Sequence, residues 1–288
     1  MIISMTNAKG GVGKTTLAVH LAAWLHLYDL KAALFDCDAQ RLSSWWMKTA
    51  EPGVDVYVAE GAEEEERAVA IDELLPRLAE EYDAVVVDAP GGLGREAGAI
   101  LSHADAVLIP TGTSGLDWEG LYWTTSTIKE IQKLRNEAPE GIENLNISED
   151  ERRKYLLPNA AIIPVQAEEG HVAMADLREF AHGVQFGMTT ATLPYRQKHI
   201  HITPKRFHQK GLVDRPGSLM WNTGRNKEVR DAALDIDAVF QEVFPEVCAV
   251  DPYRVGEQVA TRRTIDAVKW EIDNRTARRS HGRERIAS

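Results

Sequence analysis

The sequence predicts an α/β fold: a mostly parallel sheet with helices on both faces. Three observations point there. Short apolar runs alternate with longer helical patterns along the chain. Two of the runs, "AVVV" and "AVLI", are continuously apolar, as strands covered on both faces are. Finally, the first run empties into a glycine loop and two others end in aspartates. In such sheets ligands gather beyond the carboxyl ends of the strands.

Residues 2–5 are a short apolar run ending at the glycine loop and read as a buried strand. Residues 15–28 then carry Leu17, Leu21, Ala22, Leu25 and Tyr28, a helical stripe. "KAALFDCD" (31–38) is the next strand. The acidic run 63–66 reads as the solvated start of a helix, and 71–80 as helix. "DAVVVDAP" (83–90) and "DAVLIPT" (105–111) are strands, and 116–135 is a helix. "NAAIIPV" (159–165) is a strand, 172–182 a helix, and "MTTATLP" (188–194) a last strand. These elements imply one domain over residues 1–250, with a polar insertion at 136–158. A C-terminal helix is expected over 251–273. The basic tail 274–288, "NRTARRSHGRERIAS", is nearly devoid of apolar residues and is expected to be disordered.

The chain has 288 residues, ample for a buried core. At 44% hydrophobic and 27% charged it has an ordinary globular composition. A net charge of −11 excludes a whole-surface nucleic-acid binder, so any DNA contact must come from a local patch. Cys37 and Cys248 are the two cysteines, which excludes a disulfide framework and fits a reducing cytoplasm. No signal-peptide pattern opens the chain, and no run of about 20 apolar residues predicts a membrane span.

Three motifs carry chemistry. "KGGVGKTT" (9–16) follows a strand and precedes a helix. Polyphosphate binding needs inward-turned backbone amides, a helix N-terminus, a lysine and a hydroxyl for Mg²⁺. Gly10, Gly11 and Gly13, around Val12, supply the turn; Lys14 and Thr15 supply the lysine and hydroxyl, and Thr16 follows in the helix. The strict phosphate-loop pattern is broken at Ala8, where a glycine would stand, and a second lysine, Lys9, is added. In "FDCDAQ", Asp36 and Asp38 project to the same side of a strand end. There they can hold Mg²⁺ through water or orient an attacking water. In "VVVDAPGGLG", Asp88 ends an apolar strand as a Mg²⁺-shell aspartate would, and Gly91, Gly92 and Gly94 allow a mobile, phosphate-sensing loop.

In this order and spacing, "KGGVGKTT", "DCDAQ" and "VVVDAPGG" resemble the ParA/MinD family of deviant-Walker ATPases. The resemblance covers residues 2–165 well and extends more loosely to about 245. "LIPTGTSGLDWEGLYWTTSTIKEI" is also similar to the strand and helix that follow in ParA-type partition proteins. The resemblance implies ATP and Mg²⁺ as cofactors and an ATP-dependent homodimer. Lys9 would reach across that dimer to the partner's phosphates. Lys14 would be the lysine in cis, Thr15 a Mg²⁺ ligand, Asp38 the residue orienting water, with Asp36 nearby, and Asp88 the Walker B aspartate. It implies DNA partition on nonspecific DNA, hydrolysis stimulated by a ParB-like or centromere-binding adaptor, and a cytoplasmic, nucleoid-associated protein. Ala39 departs from the proline that many members carry there.

Two alternatives stand beside this one: a MinD-like membrane-associated positioning ATPase, and a nucleotide-occupancy switch with little catalysis. "RRTIDAVKWEIDNRTARR" is the candidate amphipathic anchor, but Asp266, Glu271 and Asp273 would repel an anionic membrane, and no membrane contact is expected. An iron–sulfur role lacks placed cysteines. DNA contact could come from Lys205, Arg206 and Lys210, from Arg225, Lys227 and Arg230, or from Arg275, Arg278, Arg279, Arg283 and Arg285. "HIH" at 199–201 with His208 lacks the carboxylate or cysteine partners of a metal site. No helix-turn-helix segment precedes the first strand, so a separate N-terminal DNA-binding unit is not expected.

Overall fold

A computed structural model describes residues 1–28, 30–50, 53–136, 159–165, 172–188 and 227–245. Seven strands form one sheet: β1 (Ile2–Met5), β2 (Ala32–Asp36), β3 (Asp55–Val58), β4 (Ala84–Asp88), β5 (Ala106–Thr111), β6 (Asn159–Pro164) and β7 (Gly187–Met188). Their order is β3-β2-β4-β1-β5-β6-β7, and every pairing is parallel. The described helices are α1 (Lys14–Leu27), α2 (Leu42–Ala50), α3 (Glu64–Glu81), α4 (Arg95–His103), α5 (Gly115–Asn136), α6 (Val172–Val184) and α7 (Lys227–Val243).

Side-chain alternation along the central strands builds two cores. Ile3, Met5, Leu34, Val86 and Leu108 face one side, where they meet α1, Trp46 and Met47 of α2, and Ile236, Val239 and Phe240 of α7. Phe35, Val85, Val87, Val107 and Ile109 face the other, where Ile71, Ile100, Leu121 and Leu177 bring in α3 to α6. Helix α1 is buried almost all round, being packed between the sheet and other helices. Trp24 anchors it: the ring meets Tyr28 and Phe240, and the indole N–H donates to Asp237 of α7 at 2.7 Å.

The parallel sheet covered on both faces is as expected. Strand β3 and helices α2, α4 and α7 add to the elements that the sequence predicts. Helix α3 begins at Glu64, seven residues before the periodic stretch. Glu63 and Glu66 form a capping box there, which turns the acidic run into a helix start. Met188 is the second residue of β7. The rest of the strand expected at 188–194, residues 137–158 of the insertion, the helix at 251–273 and the tail at 274–288 lie outside the described residues.

Candidate functional site

The carboxyl ends of β1, β2 and β4 lie side by side in the sheet. The loop leaving β1 turns into α1 with Gly11 at φ 79° and Gly13 at φ 95°. These are left-handed values that a side chain resists. Gly13 is the N-cap of α1, so the unpaired amides of the first turn and the positive end of the helix dipole face the loop's concavity. Val12 is buried, and Thr15 and Thr16 are half-buried in that turn. His20 Nδ1 donates to the Thr16 carbonyl at 2.7 Å.

The two lysines sit differently. Lys14 is buried, and its ammonium donates to the carbonyls of Asn7 at 3.2 Å and Lys9 at 3.1 Å. Burial pulls its pKa down, while the charges of Asp88 and Asp38 work against that fall. Lys9 stands at the rim, its side chain 30% exposed, in an ion pair with Asp117 of α5. Burial opposes the charge on Asp117, yet hydrogen bonds from Lys9 and from the hydroxyl and amide of Ser114 hold its carboxyl below the usual range.

Helix α5 also holds the first half of the loop. The Ala8 amide donates to Thr124 Oγ1 at 2.9 Å, and the Lys9 amide to Asn7 Oδ1 at 2.8 Å. Asn7 Nδ2 in turn donates to the Pro110 carbonyl at 2.8 Å. Gly120 lets the helix come this close: a Cβ there would stand 2.8 Å from Lys9 Cβ. Sequence reasoning assigns Asn7, Asp117, Gly120 and Thr124 no role. The one available signal is "SGLD", a hydroxyl three residues before a carboxylate at a helix start.

Asp36 and Asp88 end adjacent strands and are paired in register. Both are buried, but they do different work. Asp36 accepts from the Asp38 amide at 3.1 Å through one oxygen and from the Ser44 amide at 2.8 Å through the other. It fixes the turn after β2 and the start of α2. Neither oxygen of Asp88 has a hydrogen-bond partner, and neither does the buried hydroxyl of Ser43. Burial, and after it the charge of Asp36, push the Asp88 carboxyl up to about 7. The hydroxyls of Thr15 and Ser43 lie near enough to temper that rise without reaching hydrogen-bond geometry. An unpartnered carboxylate beside a threonine hydroxyl fits a hard, oxygen-seeking cation such as Mg²⁺. Asp38 is half-buried; one of its oxygens accepts from the Gln40 amide at 2.8 Å, and its charge reaches Lys14.

The loop after Asp88 ends against α3, where the Arg95 amide donates to Glu64. Among the described residues no helix is long and apolar enough to cross a membrane, and no cluster of three metal-ligating side chains occurs. Lys227 and Arg230 fall in the first turn of α7. The other candidate DNA-contact residues, and His199, His201 and His208, lie outside the described residues.

Residues 3–273 match the CobQ/CobB/MinD/ParA nucleotide binding domain (CbiA). Over 125 residues the chain is 37% identical to the maintenance of carboxysome distribution protein A of Gloeobacter kilaueensis, covering 40% of this chain and 51% of that protein. Over 170 residues it is 29% identical to the chromosome partitioning protein ParA of Myxococcus xanthus, covering 47% and 60%. The chain thus spans about half the length of these curated relatives. Among solved structures, apo McdA of Cyanothece superposes with a TM-score of 0.56 at 16% identity, over 84% of this chain and 98% of that one. A putative plasmid partition protein of Borrelia burgdorferi bound to AMPPNP gives 0.53 at 17%, over 85% and 98%. Both likenesses concern the fold.

Proposed function

Since the chain belongs to the CobQ/CobB/MinD/ParA nucleotide-binding family, we propose that it is a partition or positioning ATPase whose working form is an ATP-bound homodimer. The contrast between the two lysines carries this reading. Lys14 is buried against its own loop, while Lys9 sits on the rim, held only at its tip by Asp117. The pair is partly buried, but the Ser114 amide and hydroxyl keep Asp117 hydrogen-bonded when Lys9 leaves, and a partner's phosphates offer the freed ammonium a new charged acceptor.

Residues 10–16 cradle the phosphates of ATP, with the amides of the α1 start and the Lys14 ammonium facing them. Asp88 and Thr15 would hold the Mg²⁺, and Asp36 positions the β2–α2 turn beside them. Mg²⁺, when bound, neutralises phosphate charge as it transfers. Asp38 orients the attacking water at the mouth. Lys9 leaves Asp117 and serves the partner's nucleotide, so each site is complete only in the pair. The closed dimer engages nonspecific DNA on the nucleoid, and a ParB-like or centromere-binding adaptor stimulates hydrolysis. The similarity to proteins of chromosome partitioning and of carboxysome distribution supports a cargo-moving role.

The test is phosphate release with Mg²⁺ and ATP, with and without random-sequence DNA and a ParB-like or centromere-binding adaptor. Stimulated turnover that disappears in Lys14→Ala is expected. Absence of hydrolysis under every one of these conditions would sink the ATPase reading and leave a nucleotide-occupancy switch.

A further inference from the structure

Among the described residues, three buried side-chain oxygens lack a hydrogen-bond partner, and all three belong to one spot: Ser43 Oγ and the two oxygens of Asp88. Buried polar atoms are nearly always paired, so three orphans together call for a cause. Folding does not provide one for Ser43. Its neighbour Ser44 has work in the start of α2, with its amide on Asp36 and its hydroxyl on the Arg41 carbonyl at 3.0 Å. Ser43 Oγ makes no such bond. Serine is a poorer helix former than alanine, and a dry unpaired hydroxyl is unfavourable. For folding alone, alanine would serve better at this fully buried position.

Position supplies the missing reason. Asp36 fixes the start of α2 through the Ser44 amide, and Asp36 pairs in register with Asp88. The hydroxyl of Ser43 lies close enough to the Asp88 carboxylate to favour its charged form, as that of Thr15 does from α1. A hydroxyl there can donate to a carboxylate and accept from a water at the same time. Mg²⁺ keeps several of its waters when bound to protein carboxylates.

Resting on the nucleotide-site reading above, we propose that Ser43 is a positioning residue of the cation site. Its hydroxyl orients the Asp88 carboxylate and the water shell of a divalent cation bound with the nucleotide.

Mn²⁺ binding to the full chain with ADP, followed by the loss of the free-ion EPR signal, tests this without turnover. Ser43→Ala should weaken Mn²⁺ uptake on the order of tenfold, as removal of an outer-shell partner does. ADP affinity without metal should stay at the wild-type value. The metal-free Ser43→Ala protein should melt close to wild type, so that lost Mn²⁺ uptake reports the cation site and not unfolding. Unchanged Mn²⁺ affinity overturns the proposal, whatever the melting temperature does. A wild-type chain that takes up no Mn²⁺ with ADP overturns the nucleotide-site reading, and the role of Ser43 with it.

Discussion

At the scale of single residues, the chemistry depends on which oxygens are already committed. Asp36 and Asp88 occupy equivalent strand ends, yet one is satisfied by backbone amides and the other is not. Asp88 therefore carries a pH dependence. Its folded pKa of about 7 lies above the ordinary carboxyl value, so the metal-free folded state binds a proton that the unfolded chain releases. Stability of the metal-free protein should fall as pH rises from about 4 to about 7, and Asp88→Asn should remove that slope. At pH 8 the variant should be more stable by a few kcal/mol, because each tenfold change in proton affinity is worth about 1.4 kcal/mol. Urea titrations of both proteins at pH 5 and pH 8 check the sign; a parallel slope in the variant contradicts it. The sequence made Lys9, Lys14, Thr15, Asp36, Asp38 and Asp88 legible because each belongs to a motif of fixed spacing. It could not separate the work of Asp36 from that of Asp88, which is decided by Ser44, eight residues on, and by strand register. Nor could it show Asp117, which reaches Lys9 from 108 residues away.

At the scale of elements, α5 backs the phosphate loop as closely as α1 continues it. Gly120→Ala would place a methyl 2.8 Å from Lys9 Cβ and 3.0 Å from Asn7 Oδ1, so loop or helix must move. A loss of about 1–3 kcal/mol in denaturant titration is expected, as for other overpacked sites. The contact between α1 and α7 is a second measure of cohesion. Trp24→Ala removes a fully buried ring and the donor to Asp237, and should cost about 3–5 kcal/mol; an effect below about 1 kcal/mol would mean that α7 does not pack there. The central strands were legible because continuous apolar runs have few other uses. Strand β3 was not: it is a four-residue edge strand, too short to show a period. Helix α2, with two serines and two adjacent tryptophans in nine residues, shows no long stripe, and α4 is equally short. Helix α7 has a readable stripe in Ile236, Val239 and Phe240, with Phe244 just past its end, but the long polar stretch before it obscures where a helix would start.

At the scale of the whole molecule, the sheet gathers every motif at one end and leaves Lys9 at the edge of the cluster. A net charge of −11 makes any DNA binding local and strongly salt-dependent. The claim that binds these features together is that the nucleotide site is shared between two protomers. Light scattering of the full chain, saturated with Mg²⁺ and a slowly hydrolysed ATP analogue, addresses it directly. Wild type should elute as a dimer, and Lys9→Ala as a monomer that still binds the analogue through Lys14. A Lys9→Ala protein that dimerises as wild type does, or a wild-type chain that stays monomeric at saturation, contradicts the shared site.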